Sequence, residues 1–110
     1  MLINIQKDET SETAFFDSSN VLYVKYRDDI KKMAIVYEKG NYYLYHDVPK
    51  YIFIRIRDAE SQGKKIHELL VKGGKGKKLY KEEKAKTLKK EELELLKEHI
   101  SEMKKNNPSK

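Results

Sequence analysis

The 110-residue chain carries 24 Lys and Arg against 18 Asp and Glu, has no Cys or Trp, and is only 38% hydrophobic, so it can hold one small core and not two. The lack of cysteine excludes disulfides, a thiol nucleophile and cysteine-based metal centres, and it fits a reducing compartment. No stretch approaches the ~20 consecutive apolar residues of a membrane span, and the first residues lack the basic-then-apolar order of a signal peptide; the expectation is a cytoplasmic protein without membrane contact.

Residues 1–14 open with the apolar alternation Leu2, Ile3, Ile5 and then become QKDETSET, which has too few apolar groups to offset the entropy of ordering it. This segment reads as a flexible arm with at most one short strand. The runs VLYVKY (21–26) and MAIVYE (33–38) are rich in β-branched, aromatic and aliphatic residues and predict two strands, joined through RDDIKK with Asp28-Asp29 in the turn. Lys39-Gly40-Asn41 tolerates positive φ and predicts a tight hairpin into a third strand from Tyr42 to Tyr45. The expected sheet is a three-stranded antiparallel meander within an α+β domain spanning 15–71.

Proline suits the first turn of a helix, so Asp47-Val48-Pro49 predicts a helix from Pro49 to Ser61, capped by Asp47 and stopped by Gly63. Its stripe of Ile52, Phe53, Ile56 and Ala59 would cover the sheet. A shorter amphipathic piece follows from Ile66 to Val71, and residues 72–86 read as a basic Lys/Gly-rich linker. Residues 87–105 predict an amphipathic helix capped by Thr87, with Leu88, Leu95, Leu96, Ile100 and Met103 on one face, and 106–110 read as a disordered tail. About two heptads of apolar spacing are too few for a coiled coil, so this helix is expected to fold back on its own domain or to dock a protein partner or a second copy.

The charge is uneven. Residues 1–63 hold nine Lys/Arg and ten Asp/Glu, whereas residues 64–110 hold fifteen Lys and eight Glu, and most of the excess lies in residues 64–81, with seven Lys and one Glu around the glycine-broken run GGKGKK (73–78). Lysines on a glycine-broken segment can follow phosphates without reading bases. The glycine spacing does not reach a Lys-Ser/Thr pair, so the run is no phosphate-binding Walker loop.

Ser19, Val21, Val24 and Tyr26, then Met33, Ile35 and Tyr37, Gly40, the pair Tyr43 and Tyr45 around Leu44, Val48-Pro49, Phe53, Ile56, and Ala59-Glu60-Ser61 with Gly63 form an ordered series. The series resembles the KTSC domain, a small family named for its place at the C-terminus of some lysyl-tRNA synthetases and also found as stand-alone bacterial and phage proteins with a central tyrosine-any-tyrosine motif. The resemblance covers Asp17 to Leu70 and implies an RNA-binding role from the synthetase context, with no catalytic residues to carry over. This sequence departs from the family where an aromatic pair and an asparagine usually follow the last glycine; here stand Lys64, Lys65, Ile66 and His67.

Aromatic faces beside cations can stack unpaired bases at roughly 1–3 kcal/mol per base. Strand alternation, however, turns Tyr43 and Tyr45 together under the Pro49 helix and leaves Tyr42 as the better stacking candidate. The resemblance adds Tyr23, since the family pattern buries Val21 and Val24 around it rather than Tyr23 itself. The expected function is a non-enzymatic nucleic-acid-binding module for RNA or single strands. Lys64, Lys65, Lys72, Lys75, Lys77 and Lys78 would hold phosphates, with Lys25, Arg27 and Arg55 as additions and Tyr23 and Tyr42 as the stacking surface. The rival expectation is a small, phage-encoded adaptor that docks a protein through the sheet or the last helix. His46-Asp47 and His67-Glu68 read as a surface histidine beside a cap and as solvated helix residues, so neither catalysis, a metal nor a cofactor is expected.

Overall fold

The computed structural model describes residues 1–72 and 77–106, with the backbone alone for Lys72 and Lys77. In chain order the elements are β1 (Leu2–Lys7), β2 (Ser11–Phe16), β3 (Val21–Arg27), β4 (Lys32–Tyr37), β5 (Asn41–Tyr45), α1 (Lys50–Arg57), α2 (Gln62–Leu70), β6 (Val71–Lys72), β7 (Lys77–Lys78), β8 (Glu82–Thr87) and α3 (Lys90–Asn106). The fold is α+β, and its main sheet is a six-stranded antiparallel meander in the order β1-β2-β3-β4-β5-β8. The expected three strands are its centre, β3 to β5. The Gly40 hairpin forms as expected, with φ of 95° at that glycine.

The other three strands correct the expectation of a flexible arm and of a linker running to residue 86. QKDETSET folds because Asp8 closes the β1–β2 turn: its Oδ1 accepts from the Thr10 and Ser11 amides at 2.9 and 2.8 Å, and its Oδ2 accepts from Ser11 Oγ at 2.9 Å. Those hydrogen bonds hold the Asp8 carboxyl below the ordinary carboxylate range. EEKAKT becomes β8 by adding its backbone to β5, with Tyr45 opposite Glu82 and Leu44 opposite Glu83. Lysines on a sheet edge are compatible with strand structure and discourage further pairing.

Strand alternation gives the sheet two unlike faces. On the first, Val24, Tyr26, Met33, Ile35 and Tyr45 pack with Ile52, Phe53 and Ile56 of α1 and Ile66 and Leu70 of α2. Tyr26 stacks on Phe53 with ring centroids 5.5 Å apart and donates its hydroxyl to the Val48 carbonyl at 2.7 Å. On the second face Phe15, Leu22 and Val36 pack with Ile100 and Met103 of α3, joined by Leu93 and Leu96. The last helix therefore docks in cis. A bulge between Val21 and Tyr23 turns Leu22 toward this second face as well.

Three cap assignments differ from expectation. The single helix expected over 49–61 is broken after Arg57, and Gly63 sits inside the second helix, whose cap Ser61 accepts from the Lys64 amide at 3.4 Å. A Cβ at Gly63 would lie 2.8 Å from Asn20 Nδ2, so the missing side chain lets α2 approach the β2–β3 loop. Asp47 does not cap α1; it adopts φ of 55°, and Pro49 is the cap residue. Thr87 belongs to β8 and donates to Asn41 Oδ1 at 3.3 Å, while the Lys89 amide at the start of α3 donates to Glu92 Oε1 at 3.1 Å.

Candidate nucleic-acid interface

Residues opposite one another in adjacent strands share a face, so the register fixes which side chains meet on the second face. One row is Phe15, Tyr23, Val36, Tyr42 and Lys86; the next is Thr13, Lys25, Ala34, Leu44 and Glu83; the third pairs Arg27 with Lys32. The α3 helix lies over the first row. Beyond it the face is open, and Lys25, Arg27, Ile30, Lys32, Ala34, Tyr42 and Leu44 line a groove of about 260 Å³.

This groove has cationic walls and an apolar floor. Lys25 and Lys32 have no ion pair among the described residues, while Arg27 is clamped by Asp29 through Nε at 3.1 Å and Nη2 at 2.7 Å. That clamp holds the guanidinium, itself planar and always charged, in one orientation beside the groove mouth and raises its pKa further. Tyr42 stands at the boundary, packed on one side against the α3 cluster and lining the groove on the other.

The structure thus brings together Lys25, Arg27 and Tyr42 of the expected set. Tyr23 is corrected: it is packed beneath α3 against Phe15, with ring centroids 5.6 Å apart, and burial pushes its hydroxyl up to about 12. It is no open stacking surface in this conformation. Arg55, Lys64 and Lys65 lie on the helices of the opposite face, where Arg55 sits over the Tyr51 ring at 5.6 Å and Lys65 pairs with Glu68 at 3.0 Å. Lys78 pairs with Glu82 at 3.4 Å. Lys75 falls outside the described residues, as do the side chains of Lys72 and Lys77 and residues 107–110 of the expected tail. Lys32 was missed, although RDDIKK as a hairpin turn places it directly across from Arg27.

The first face has its own hollow, at the end of the sheet away from the groove. Ser19, Asn20, Tyr37, Asn41, Tyr43 and Tyr45 line about 550 Å³ together with α2 and Glu82. Tyr37 and Tyr43 meet edge to face, centroids 5.8 Å apart at 81°. Tyr45 donates a short hydrogen bond to the Glu82 carboxylate. Burial, then Glu82, pushes the Tyr37 hydroxyl up to about 12, and burial likewise raises Tyr45, so both remain protonated at neutral pH. His46 Nε2 meets Glu83 Oε1 at 3.0 Å on the surface and makes no dyad with Asp47.

Residues 17–68 match the sequence profile of the KTSC domain. They form a KTSC domain. The crystal structure of a KTSC domain protein from Yersinia pestis shares the fold, with a TM-score of 0.58 and 21% identity over 69% of this chain and 99% of that one. A comparison with curated proteins found no match. Every groove residue lies within the stretch that matches the profile, whereas β1, β2, β8 and α3 flank that stretch and supply the second-face cover and the carboxylate at the tyrosine hollow.

Proposed function

We propose that the chain is a non-enzymatic module that binds nucleic acid, as RNA or a single strand, across the open half of the second sheet face. The observation that carries this reading is the groove itself: two lysines free of ion pairs among the described residues, a clamped arginine, and Tyr42 and Leu44 beside them. Cations there hold phosphates, and the tyrosine edge and leucine floor receive an unpaired base. The lysine-rich stretch that follows α2 adds phosphate contacts without base preference.

Fluorescence polarisation with labelled single-stranded RNA, single-stranded DNA and duplex at two salt concentrations tests the reading. Three phosphates neutralised on a single strand give on the order of a 20-fold loss of affinity between 50 and 200 mM salt. Lys25→Ala with Lys32→Ala is expected to weaken every single strand alike and flatten the salt dependence, and Tyr42→Ala to cost about 1–3 kcal/mol. Absence of binding by all three ligands at 50 mM salt overturns it.

A further inference from the structure

We infer that the tyrosine hollow on the first sheet face is a second ligand site, one that takes a single nucleotide unit: a flat, hydrogen-bonding heterocycle carrying a phosphate. It builds on the preceding reading only in the choice of ligand chemistry, because the hollow shares no residue with the groove.

The volume of about 550 Å³ lies within the range of roughly 300–1,000 Å³ typical of small-ligand sites. Its aromatic walls, Tyr37 and Tyr43, stand nearly perpendicular, an arrangement that offers a ring face to a flat group. The carboxylates are already matched: Glu82 accepts from Tyr45 and pairs with Lys78 at 3.4 Å, and Glu38 pairs with Lys97 at 3.1 Å. An organic cation would therefore find its counter-charges taken.

What the hollow leaves open is neutral or positive. Ser19 and Asn20 lie on the exposed β2–β3 loop, and Lys39 and His67 make no ion pair among the described residues. The hollow runs into an adjoining one of about 520 Å³, which shares Ser19, Asn20, Gly63 and His67 and adds Lys64, also free of ion pairs among the described residues. Aromatic walls, an amide and a hydroxyl lining the same hollow, and the exposed Lys39 and Lys64 match base, edge and phosphate of one nucleotide. Glycine at position 63 brings α2 against Asn20 and so sets the width of the mouth.

The unit could be free or part of a strand, and NMR amide-shift titration of the full chain distinguishes the two. The ligands are the four ribonucleoside 5′-monophosphates and a short oligouridine. The variants are Tyr43→Leu, the exposed-rim pair Asn20→Ala with Lys39→Ala, and the groove pair Lys25→Ala with Lys32→Ala. The proposal expects saturable shifts at Ser19, Asn20, Gly63 and His67, at least tenfold weaker binding in both hollow variants, and, with the monophosphates, no change in the groove variant. Saturation by monophosphates identifies a free nucleotide; shifts at these amides with the oligonucleotide alone identify a strand-borne one. If neither ligand moves these amides, or if the rim variant binds as the parent does, the site is refuted. An oligonucleotide that still binds in a groove-dependent way then leaves the groove reading standing, and loss of all binding removes both.

Discussion

Arg57 at the end of α1 donates from Nη1 to Glu12 Oε2 of β2 at 2.8 Å, although the Glu12 side chain is only 4% exposed. The same guanidinium forks onto Asp58 through Nε and Nη2, at 2.8 and 3.0 Å. Asp58 first, and Glu12 second, push Arg57 above its ordinary value, so the guanidinium stays charged at any accessible pH. This contact fastens a strand that precedes the stretch matching the KTSC profile to a helix inside it.

Arg57→Ala leaves the Glu12 carboxylate buried with Lys7 alone, at 3.8 Å. Breaking a buried pair costs about 3–5 kcal/mol, and the lysine together with the partial exposure of Arg57 reduces this to an expected loss of about 2–3 kcal/mol. Glu12→Gln with Arg57 intact is expected to lose less than half as much. Urea unfolding of the three proteins measures both, and equal losses would show that the carboxylate charge is not what the arginine serves.

Tyr26 carries the next prediction. Its hydroxyl is the donor to the Val48 carbonyl at the bend between β5 and α1, and the ring is 1% exposed. Tyr26→Phe keeps the stacking on Phe53 and strands that carbonyl, at an expected cost of about 1–2 kcal/mol. Thermal and urea denaturation should agree; a neutral substitution would mean that water takes the place of the hydroxyl.

The centre of this fold was legible in the sequence because β3, β4 and β5 are near-continuous runs of β-branched, aromatic and aliphatic residues bounded by turn residues. The expected strand face of Tyr43 and Tyr45 also followed from period-two spacing, as did their position toward the helices. The outer strands were not legible in that way. β2 buries Ser11 and Glu12, polar residues whose cost is offset by Asp8 and by an arginine 45 positions away, and no local pattern announces such a partner. β8 exposes nearly all its side chains and is a strand through its backbone bonds to β5. For the groove, alternation placed Lys25 and Arg27 on one face, but the separation of Tyr23 from Tyr42 depends on where α3 lands, a long-range fact.

The Asp8 turn gives a pH dependence. The folded carboxyl lies below its ordinary value of 3.8, so the turn's contribution is complete above that value and is lost as pH falls through the lower folded value. Asp8→Ala removes this contribution. Its unfolding midpoint is expected to be lower than the parent's at neutral pH, with the two curves converging below about pH 3.8 as the parent's own carboxyl takes up a proton. Chemical denaturation from pH 2 to 7 tests this, and a constant gap across that range would refute it.

The last helix makes the second face what it is, and Ile100 tests it. Ile100 and Met103 close over Phe15, Leu22 and Val36, while Gln6 Nε2 reaches Met103 Sδ at 3.8 Å and Lys104 pairs with Asp17 at 2.7 Å. The surface ion pairs contribute little, so the apolar contact decides whether the helix stays down. Ile100→Ala is expected to cost about 2 kcal/mol, the low end for a large-to-small change because the residue lies at the rim of its cluster. Ile100→Asp places a charge in that cluster and is expected to free the helix while the α1 and α2 face keeps its fold. Tyr23 reports the difference: burial holds its hydroxyl at about 12, and uncovering it should bring the titration back toward 10. Carbon-13 NMR of the tyrosine rings across pH 9 to 13 reads that shift residue by residue. A Tyr23 titration unchanged in Ile100→Asp would mean that Phe15 and the sheet alone desolvate it, and that α3 is not its cover.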